Sequence, residues 1–184
     1  MFLIRPEYHA ADRLPADGVL AVVSFGSASP AGPFLSVEVP IPQIGGPVAE
    51  VWRVTGSPAK ESRYGVELAF ARDVLFGTIR REGCVKKAAI ESYDAIVEAC
   101  RGAGYPNLWR IWNHVGGLND PEDGLERYKL FSAGRHEALT RHGYARERFP
   151  AASAVGMDGQ GLLVYFVAGR EAGVQTENPR QVSA

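Results

Sequence analysis

Hydrophobic and polar positions along the chain follow two periods, and these predict where strands and helices lie. Continuous apolar runs bounded by Gly and Pro predict buried strands at 18–25 and 162–169. Alternating side chains predict another strand at 49–56. The run "VELAFARDVLFGTIR" predicts two strands that meet in a tight turn around 71–73. These runs have strand length, and each is too short to span a bilayer.

Two stretches repeat their apolar residues at helical spacing. "CVKKAAIESYDAIVEACRGAG" predicts a helix that ends at Gly102 or Gly104. A second helix is predicted to begin at Asn119 or Asp120, a capping residue followed by proline and acidic residues, and to end at about His142. "AASAVG" and "LLVYFVAG", on either side of "MDGQG", predict a terminal hairpin.

With a strand at 107–115 between the helices, the order from residue 49 onward is β-β-β-α-β-α-β-β. This order predicts an α/β (α+β) fold, a mixed sheet with two main helices on one face. The first 48 residues are rich in Gly and Pro and predict an irregular segment with one strand. We therefore divide the chain into an N-terminal segment, 1–48, and an α/β unit, 49–184.

Composition and charge narrow the choice of partners. The 184 residues carry a formal net charge of -1, so nothing in the overall charge favours nucleic acid or an anionic membrane. The first residues, "MFLIRPEYHAADRLP", do not resemble a signal peptide. The two cysteines, Cys84 and Cys100, belong to no CxxC motif. We expect a cytoplasmic protein with reduced cysteines and with neither a nucleic-acid nor a membrane partner.

The second helix places an arginine in the middle of its predicted apolar face. A buried guanidinium cannot lose its proton, so it needs a carboxylate from the protein or from a ligand. The protein could supply Glu50, Glu67 or Glu98. Alternatively, the tip of the side chain could reach water. The face in question comprises Leu125, Tyr128, Ser132, Arg135 and Leu139.

Three further polar residues each have two interpretations. Tyr128 either packs in the core or contacts a ligand. Ser132 either binds a carboxylate or leaves room for one. Arg170 follows a buried strand, where it is either a site residue or half of a solvated pair with Glu171.

The four histidines do not suggest a metal centre. His136 and His142 lie six positions apart, roughly 120° around a helix axis, and do not converge. His9 and His114 are isolated in sequence. The chain contains neither a facial-triad spacing nor a phosphate-binding glycine motif. We expect no metal and no cofactor.

The motifs "RIWN", "GLERY…F..GR", "YFVAGRE" and "ENPRQVSA" together resemble the chorismatase (chorismate hydrolase) family, whose members are often labelled pteridine-dependent dioxygenase-like. The resemblance covers about Leu108 to the last residue. It implies a fold related to reactive-intermediate deaminases and the trimeric chorismate mutase. It also implies cleavage of the enolpyruvyl ether of chorismate, which yields pyruvate and a hydroxybenzoate or a dihydrobenzoate diol. Despite the dioxygenase label, neither an iron site nor a pteridine site is expected, because the histidine spacings fit no metal centre.

The resemblance assigns roles to particular residues. Tyr128 and Arg135 look like a clamp for a substrate carboxylate, and Ser132 and Arg170 are further substrate-binding candidates. Chorismatases are nearly twice this length, and their later half supplies the catalytic glutamic acid. We therefore expect no catalytic residue in this chain, and either self-association or pairing with the missing half. The alternatives are a non-catalytic anion-binding or assembly module and a homotrimeric reactive-imine deaminase.

Overall fold

The computed structural model describes residues 4–10, 12–26, 28–46 and 48–173. They form three layers, in which two helices cover one face of a six-stranded sheet and a four-stranded sheet covers the other. The elements are β1 (Ile4–Ala10), β2 (Val19–Phe25), β3 (Leu35–Val39), β4 (Val48–Val54), β5 (Ala59–Arg63), β6 (Val66–Ala71), β7 (Val74–Arg81), α1 (Val85–Ala103), β8 (Asn107–Gly116), β9 (Pro121–Glu122), β10 (Leu125–Glu126), α2 (Arg127–Arg141), β11 (Ala151–Met157) and β12 (Leu162–Gly169).

The six-stranded sheet has the order β11-β8-β12-β7-β6-β5 and is mixed. Strand β11 runs parallel to β8, and the other neighbours are antiparallel. Helix α1 buries one face against this sheet and ends at Gly104, whose φ of 82° suits glycine. The prediction of a mixed α+β fold with two helices on one face is confirmed. No helix in the described ranges is both long and apolar enough to cross a membrane.

The N-terminal region contains more regular structure than predicted. Strands β1, β2 and β3 precede residue 48, where a single strand was expected, and with β4 they form a sheet of order β1-β4-β2-β3. Its inner face packs on the larger sheet, where Trp52 lies 5.6 Å from Phe76 and 5.5 Å from Trp112 between ring centroids. The predicted boundary at residue 48 therefore cuts through a sheet. Polar, exposed β1 has no apolar period that would have revealed it.

The predicted terminal hairpin is wrong. Strands β11 and β12 both pair with β8, one on each side of it, so they do not pair with each other. Their connection passes over the end of β8 at Gly116, where an added Cβ would meet the carbonyl oxygen of Gly159. Alternation identifies a strand, but it does not identify the partner of that strand.

Two further boundaries differ from the prediction. Strand β5, for which no element was predicted, is largely exposed and polar, so it lacks the apolar pattern of a buried strand. Helix α2 begins at Arg127, later than the predicted Asn119 or Asp120, because the short β9–β10 hairpin comes first. This hairpin turns through Asp123 and Gly124, whose positive φ angles of 50° and 78° are incompatible with a helix.

Candidate functional site

Helix α2 presents a different face to the core from the one predicted. The predicted stripe is wrong at its start, because Leu125 and Tyr128 are 50% and 45% exposed. The helix approaches α1 through Gly134, where an added Cβ would lie 2.5 Å from the Lys86 carbonyl oxygen. This close packing fixes the rotation of α2 about its axis. The buried residues of α2 are Arg127, Leu130, Phe131, Gly134, Ala138 and Leu139.

The most buried arginine of α2 is Arg127, which the sequence analysis did not single out. It is only 8% exposed, and it forms an ion pair with Glu122 of the preceding hairpin. Its Nε also donates to the Gly116 carbonyl oxygen at 2.9 Å. The protein therefore neutralises this buried guanidinium itself. The signal in the sequence was an acidic residue five positions earlier, which helical spacing does not place beside Arg127.

Arg135 lies two turns later and has different surroundings. It is half-buried, and its Nη2 donates to the Pro150 carbonyl oxygen at 3.1 Å. Its guanidinium carbon lies 5.8 Å from the ring centroid of Tyr93 and 5.5 Å from that of Phe149. Its Nε is buried without a hydrogen-bond partner. A carbonyl and two aromatic faces attract a cation without cancelling its charge.

The glutamates considered as partners of Arg135 do not reach it. Glu50 accepts hydrogen bonds from Trp52 and Tyr8 between the two sheets, and Glu98 lies 3.5 Å from His142. Within the ranges that the structure describes, Arg135 forms no ion pair with any aspartate or glutamate. Its positive charge is thus left for a group from outside these ranges or for a ligand.

Two buried hydrogen bonds connect Tyr93, whose ring contacts Arg135, to strand β11. The Tyr93 hydroxyl donates to Oδ1 of Asn113 at 2.9 Å, and Asn113 Nδ2 donates to the Ser153 carbonyl oxygen at 2.8 Å. Tyr93 and Asn113 are 0% and 1% exposed. Burial raises the pKa of Tyr93, and the nearby charge of Arg135 opposes that rise. Tyr93 stands in the predicted first helix, but no pattern in that helix indicates its connection to Asn113 and Arg135.

Tyr128 and Ser132 share the outward side of α2 with Arg135. Tyr128 is exposed and Ser132 is half-buried, and helical spacing places both on the side of α2 that carries Arg135. Phe149 and Pro150 lead directly into β11, the edge strand of the larger sheet. The three α2 residues therefore line an open face beside a sheet edge. Their roles in substrate binding stay predictions.

Arg170 lies elsewhere. Its guanidinium stacks on Tyr105 at 4.6 Å from the ring centroid, and its Nε donates to the Arg72 carbonyl oxygen at 3.1 Å. The carboxylate beside it belongs to Asp73, whose Oδ1 lies 3.9 Å from the Arg170 Nε, whereas the sequence suggested Glu171. These contacts are at the far end of α1, so the structure does not bring Arg170 to the α2 residues. Its substrate-binding role stays a prediction.

Buried His114 is a further polar residue that the sequence did not reveal. It stacks on Tyr165 with 5.5 Å between ring centroids, and neither ring nitrogen has a hydrogen-bond partner. Burial lowers the pKa of His114 to about 4, so the ring is neutral at pH 7. The alternation of β8 could have placed His114 inside, but the apolar residues that surround it come from distant strands.

One group of residues has the spacing of metal ligands. Ligand atoms of Cys84, Glu122 and Asp123 lie within 4.8 Å of one another. Glu122 already pairs with Arg127 and accepts the Val85 backbone N–H at the start of α1. The group is explained by these structural contacts, and the expectation that the protein binds no metal stays a prediction.

Known proteins share both the sequence and the fold. Residues 50–168 match the family model described as chorismatase FkbO/Hyg5-like, N-terminal. A chorismatase from Streptomyces rapamycinicus is 39% identical over 140 residues, which are 74% of this chain and 42% of that protein. A 3-hydroxybenzoate synthase from Streptomyces hygroscopicus is 34% identical over 142 residues, with 75% and 42% covered.

A solved structure agrees with these relatives. A chorismatase crystal structure superposes with a TM-score of 0.81 at 28% identity, and the match covers 93% of this chain and 55% of that one. The chain spans about two-fifths of the length of the curated relatives it matches. The family model covers more than half of this chain and confirms the resemblance seen in the motifs. The chain belongs to the chorismatase family.

Proposed function

We propose that this protein takes part in cleaving the enolpyruvyl ether of chorismate, and that its α2 face holds a carboxylate of the substrate. The observation that carries the proposal is the half-buried Arg135 guanidinium, which contacts one carbonyl and two aromatic rings but no described carboxylate. Chorismate carries two carboxylates, and a guanidinium can bind a carboxylate through two parallel hydrogen bonds. The names of the relatives, chorismatase and 3-hydroxybenzoate synthase, support this substrate.

The chemistry begins with protonation of the enolpyruvyl methylene carbon. Water adds to the resulting oxocarbenium carbon and returns a proton to the acid, which gives a hemiketal. The bond between that carbon and the ring oxygen then breaks as the hemiketal proton passes to the ring oxygen, which releases pyruvate and a dihydroxycyclohexadiene carboxylate. Where the product is a hydroxybenzoate, the water that is added is balanced by the water that is lost on forming the aromatic ring. Formation of a hydroxybenzoate and pyruvate from chorismate therefore consumes no net water. The part of Arg135 is to orient the substrate by its carboxylate, with Tyr128 and Ser132 as further hydrogen-bonding groups.

The proton donor in this proposal is a glutamic acid outside the chain, as the family resemblance implies. The second candidate is therefore binding of a small organic acid without catalysis. It is supported by the same geometry, since Arg135 provides a cation but contacts no carboxylic acid within the described ranges. Pairing with another polypeptide segment, or with a second copy, would be needed to complete an active site.

We also infer that the larger sheet and its helices are related to the reactive-intermediate deaminase and chorismate mutase fold. The succession α1-β8-α2-β11, in which parallel neighbouring strands are joined by α2, supports this relation. A cytoplasmic location also belongs to this proposal, and the free thiols of Cys84 and Cys100 are consistent with a reducing compartment.

The test is to incubate the polypeptide that the gene encodes with chorismate and to measure pyruvate with lactate dehydrogenase and NADH. The 184-residue chain is assayed in parallel. Arg135→Gln should lower kcat/KM by about 10-fold or more, because a charge-assisted contact is lost. Arg141→Gln is the matched control, since this exposed arginine of the same helix pairs with Asp94 and Glu137. Absence of pyruvate from the gene product would defeat the enzymatic proposal, and binding without pyruvate would favour the second candidate.

A further inference from the structure

We infer that Tyr93 and Asn113 are positioning residues for Arg135, which hold its guanidinium in place to receive a carboxylate. The inference rests on the proposed function and deepens it. Neither residue reaches the open face of α2, since both are almost completely buried. They would act through Arg135 and would not touch the substrate.

The first step concerns Asn113, whose side-chain amide lies among apolar core residues. Ile111 and Val115, its neighbours on the same face of β8, are fully buried apolar residues of the helix-side core. Burial of an amide there is costly unless its polar atoms are paired. Both of its ends are used, since Oδ1 accepts from the Tyr93 hydroxyl and Nδ2 donates to the Ser153 carbonyl oxygen. The amide therefore joins α1 to the edge strand β11.

The second step concerns the Tyr93 ring. Its hydroxyl is fixed by Asn113, which restrains the ring in one position. The Arg135 guanidinium carbon lies 5.8 Å from the centroid of this ring and 5.5 Å from that of Phe149. Because Pro150 accepts the hydrogen bond from Arg135 and stands just before β11, the strand held by Asn113 also holds that acceptor.

The third step concerns charge. Every group in this support is neutral, consisting of a phenol, an amide, two backbone carbonyls and an aromatic ring. Arg127, in contrast, is held in the same helix by a carboxylate. Neutral support restrains the arginine while leaving its charge available, which lowers the ordering cost of binding an anion.

The experiment is a double-mutant cycle on the gene product, with the dissociation constant for a non-reactive chorismate analogue measured by calorimetry. Arg135→Gln should weaken binding about 10- to 100-fold, and Tyr93→Phe, which keeps the ring, about 2- to 10-fold. In the Arg135→Gln background, Tyr93→Phe should have no further effect, because its influence passes through Arg135. Thr78→Val is the structural control, since it removes a buried hydroxyl that donates to the Val164 carbonyl oxygen away from α2.

A second measurement needs no ligand. The Nε–H signal of Arg135 in a ¹H–¹⁵N spectrum should exchange slowly with water in the wild type, because this atom is buried. Tyr93→Phe and Asn113→Leu should each accelerate that exchange several-fold, and Thr78→Val should not change it.

The outcomes separate the two proposals. If Arg135→Gln weakens binding but Tyr93→Phe changes neither affinity nor exchange, the positioning inference is overturned and the proposed function stands. Equal losses from Tyr93→Phe with and without Arg135 would also overturn it, since they indicate a general structural role. If the wild type neither binds the analogue nor releases pyruvate from chorismate, the proposed function fails, and unchanged exchange in Tyr93→Phe then removes the positioning inference as well.

Discussion

Glu122 forms an ion pair with Arg127, the most buried arginine of helix α2. Two turns later, Arg135 contacts only neutral groups within the described ranges. One helix thus carries an arginine that stabilises the fold and an arginine whose charge is available. The two should respond differently to substitution, to pH and to ligands.

Replacement of the Glu122 carboxylate tests the structural role of Arg127. Glu122→Gln should lower the free energy of unfolding by about 3 kcal/mol, because a buried guanidinium loses its counter-charge. Arg135→Gln should lower it by only about 1 kcal/mol, since one hydrogen bond and two cation–π contacts are lost but no ion pair. Urea unfolding at pH 7 measures both values. Similar losses from the two variants would contradict the division of roles.

Acid should destabilise the protein through His114. In the folded protein, burial lowers the pKa of His114 to about 4, whereas the unperturbed pKa of a histidine is 6.5. The unfolded state therefore binds the proton more readily than the folded state. The contribution to stability is complete above pH 6.5 and is lost as the pH falls towards 4, with a loss of about 2 kcal/mol at pH 5. His114→Phe preserves an aromatic ring against Tyr165 and should remove this part of the pH dependence.

Comparison of unfolding free energies at pH 7 and pH 5 checks this prediction. The variant should lose about 2 kcal/mol less than the wild type over that interval. Equal losses in the two proteins would show that the ring is not held neutral by burial. His136→Phe is the control, because His136 is exposed on α2.

The two cysteines should differ sharply in reactivity. Cys84 is exposed before the first turn of α1, whereas Cys100 is buried and its pKa is raised to about 12 by that burial. A thiol reacts as the thiolate, so Cys84 should react with a disulfide reagent in the native protein and Cys100 only after unfolding. Cys84→Ser should abolish the native reaction. Two equivalents of fast reaction in the folded protein would contradict the burial of Cys100.

The sequence predicted α1 well because a long amphipathic helix is a local property. The predicted end at Gly102 or Gly104 agrees with the observed cap at Gly104, which also has the positive φ that favours glycine. Strand β12 was equally easy to predict from the sequence, since all eight of its residues are buried. In both elements the apolar period and the stop signal agree.

The errors arose where distant parts of the chain decide the structure. The rotation of α2 depends on the close approach of Gly134 to Lys86, which no period within α2 records. The pairing of β11 with β8 joins residues about 40 positions apart in the chain, and a local pattern contains no information on it. Arg135 was singled out for its place in an apolar stripe. The stripe was shifted, yet the arginine does lie beside two aromatic rings because Phe149 and Tyr93 approach from other elements.

The proposed function requires that Arg135 binds an organic carboxylate. The most direct measurement is a crystal structure of the gene product with a non-reactive chorismate analogue, read as the distance from the Arg135 guanidinium nitrogens to the nearest ligand carboxylate oxygen. We predict a distance of about 2.8 Å, typical of a charge-assisted hydrogen bond. An analogue bound away from α2, or an Arg135 already paired with an aspartate or glutamate of the protein, would contradict the claim.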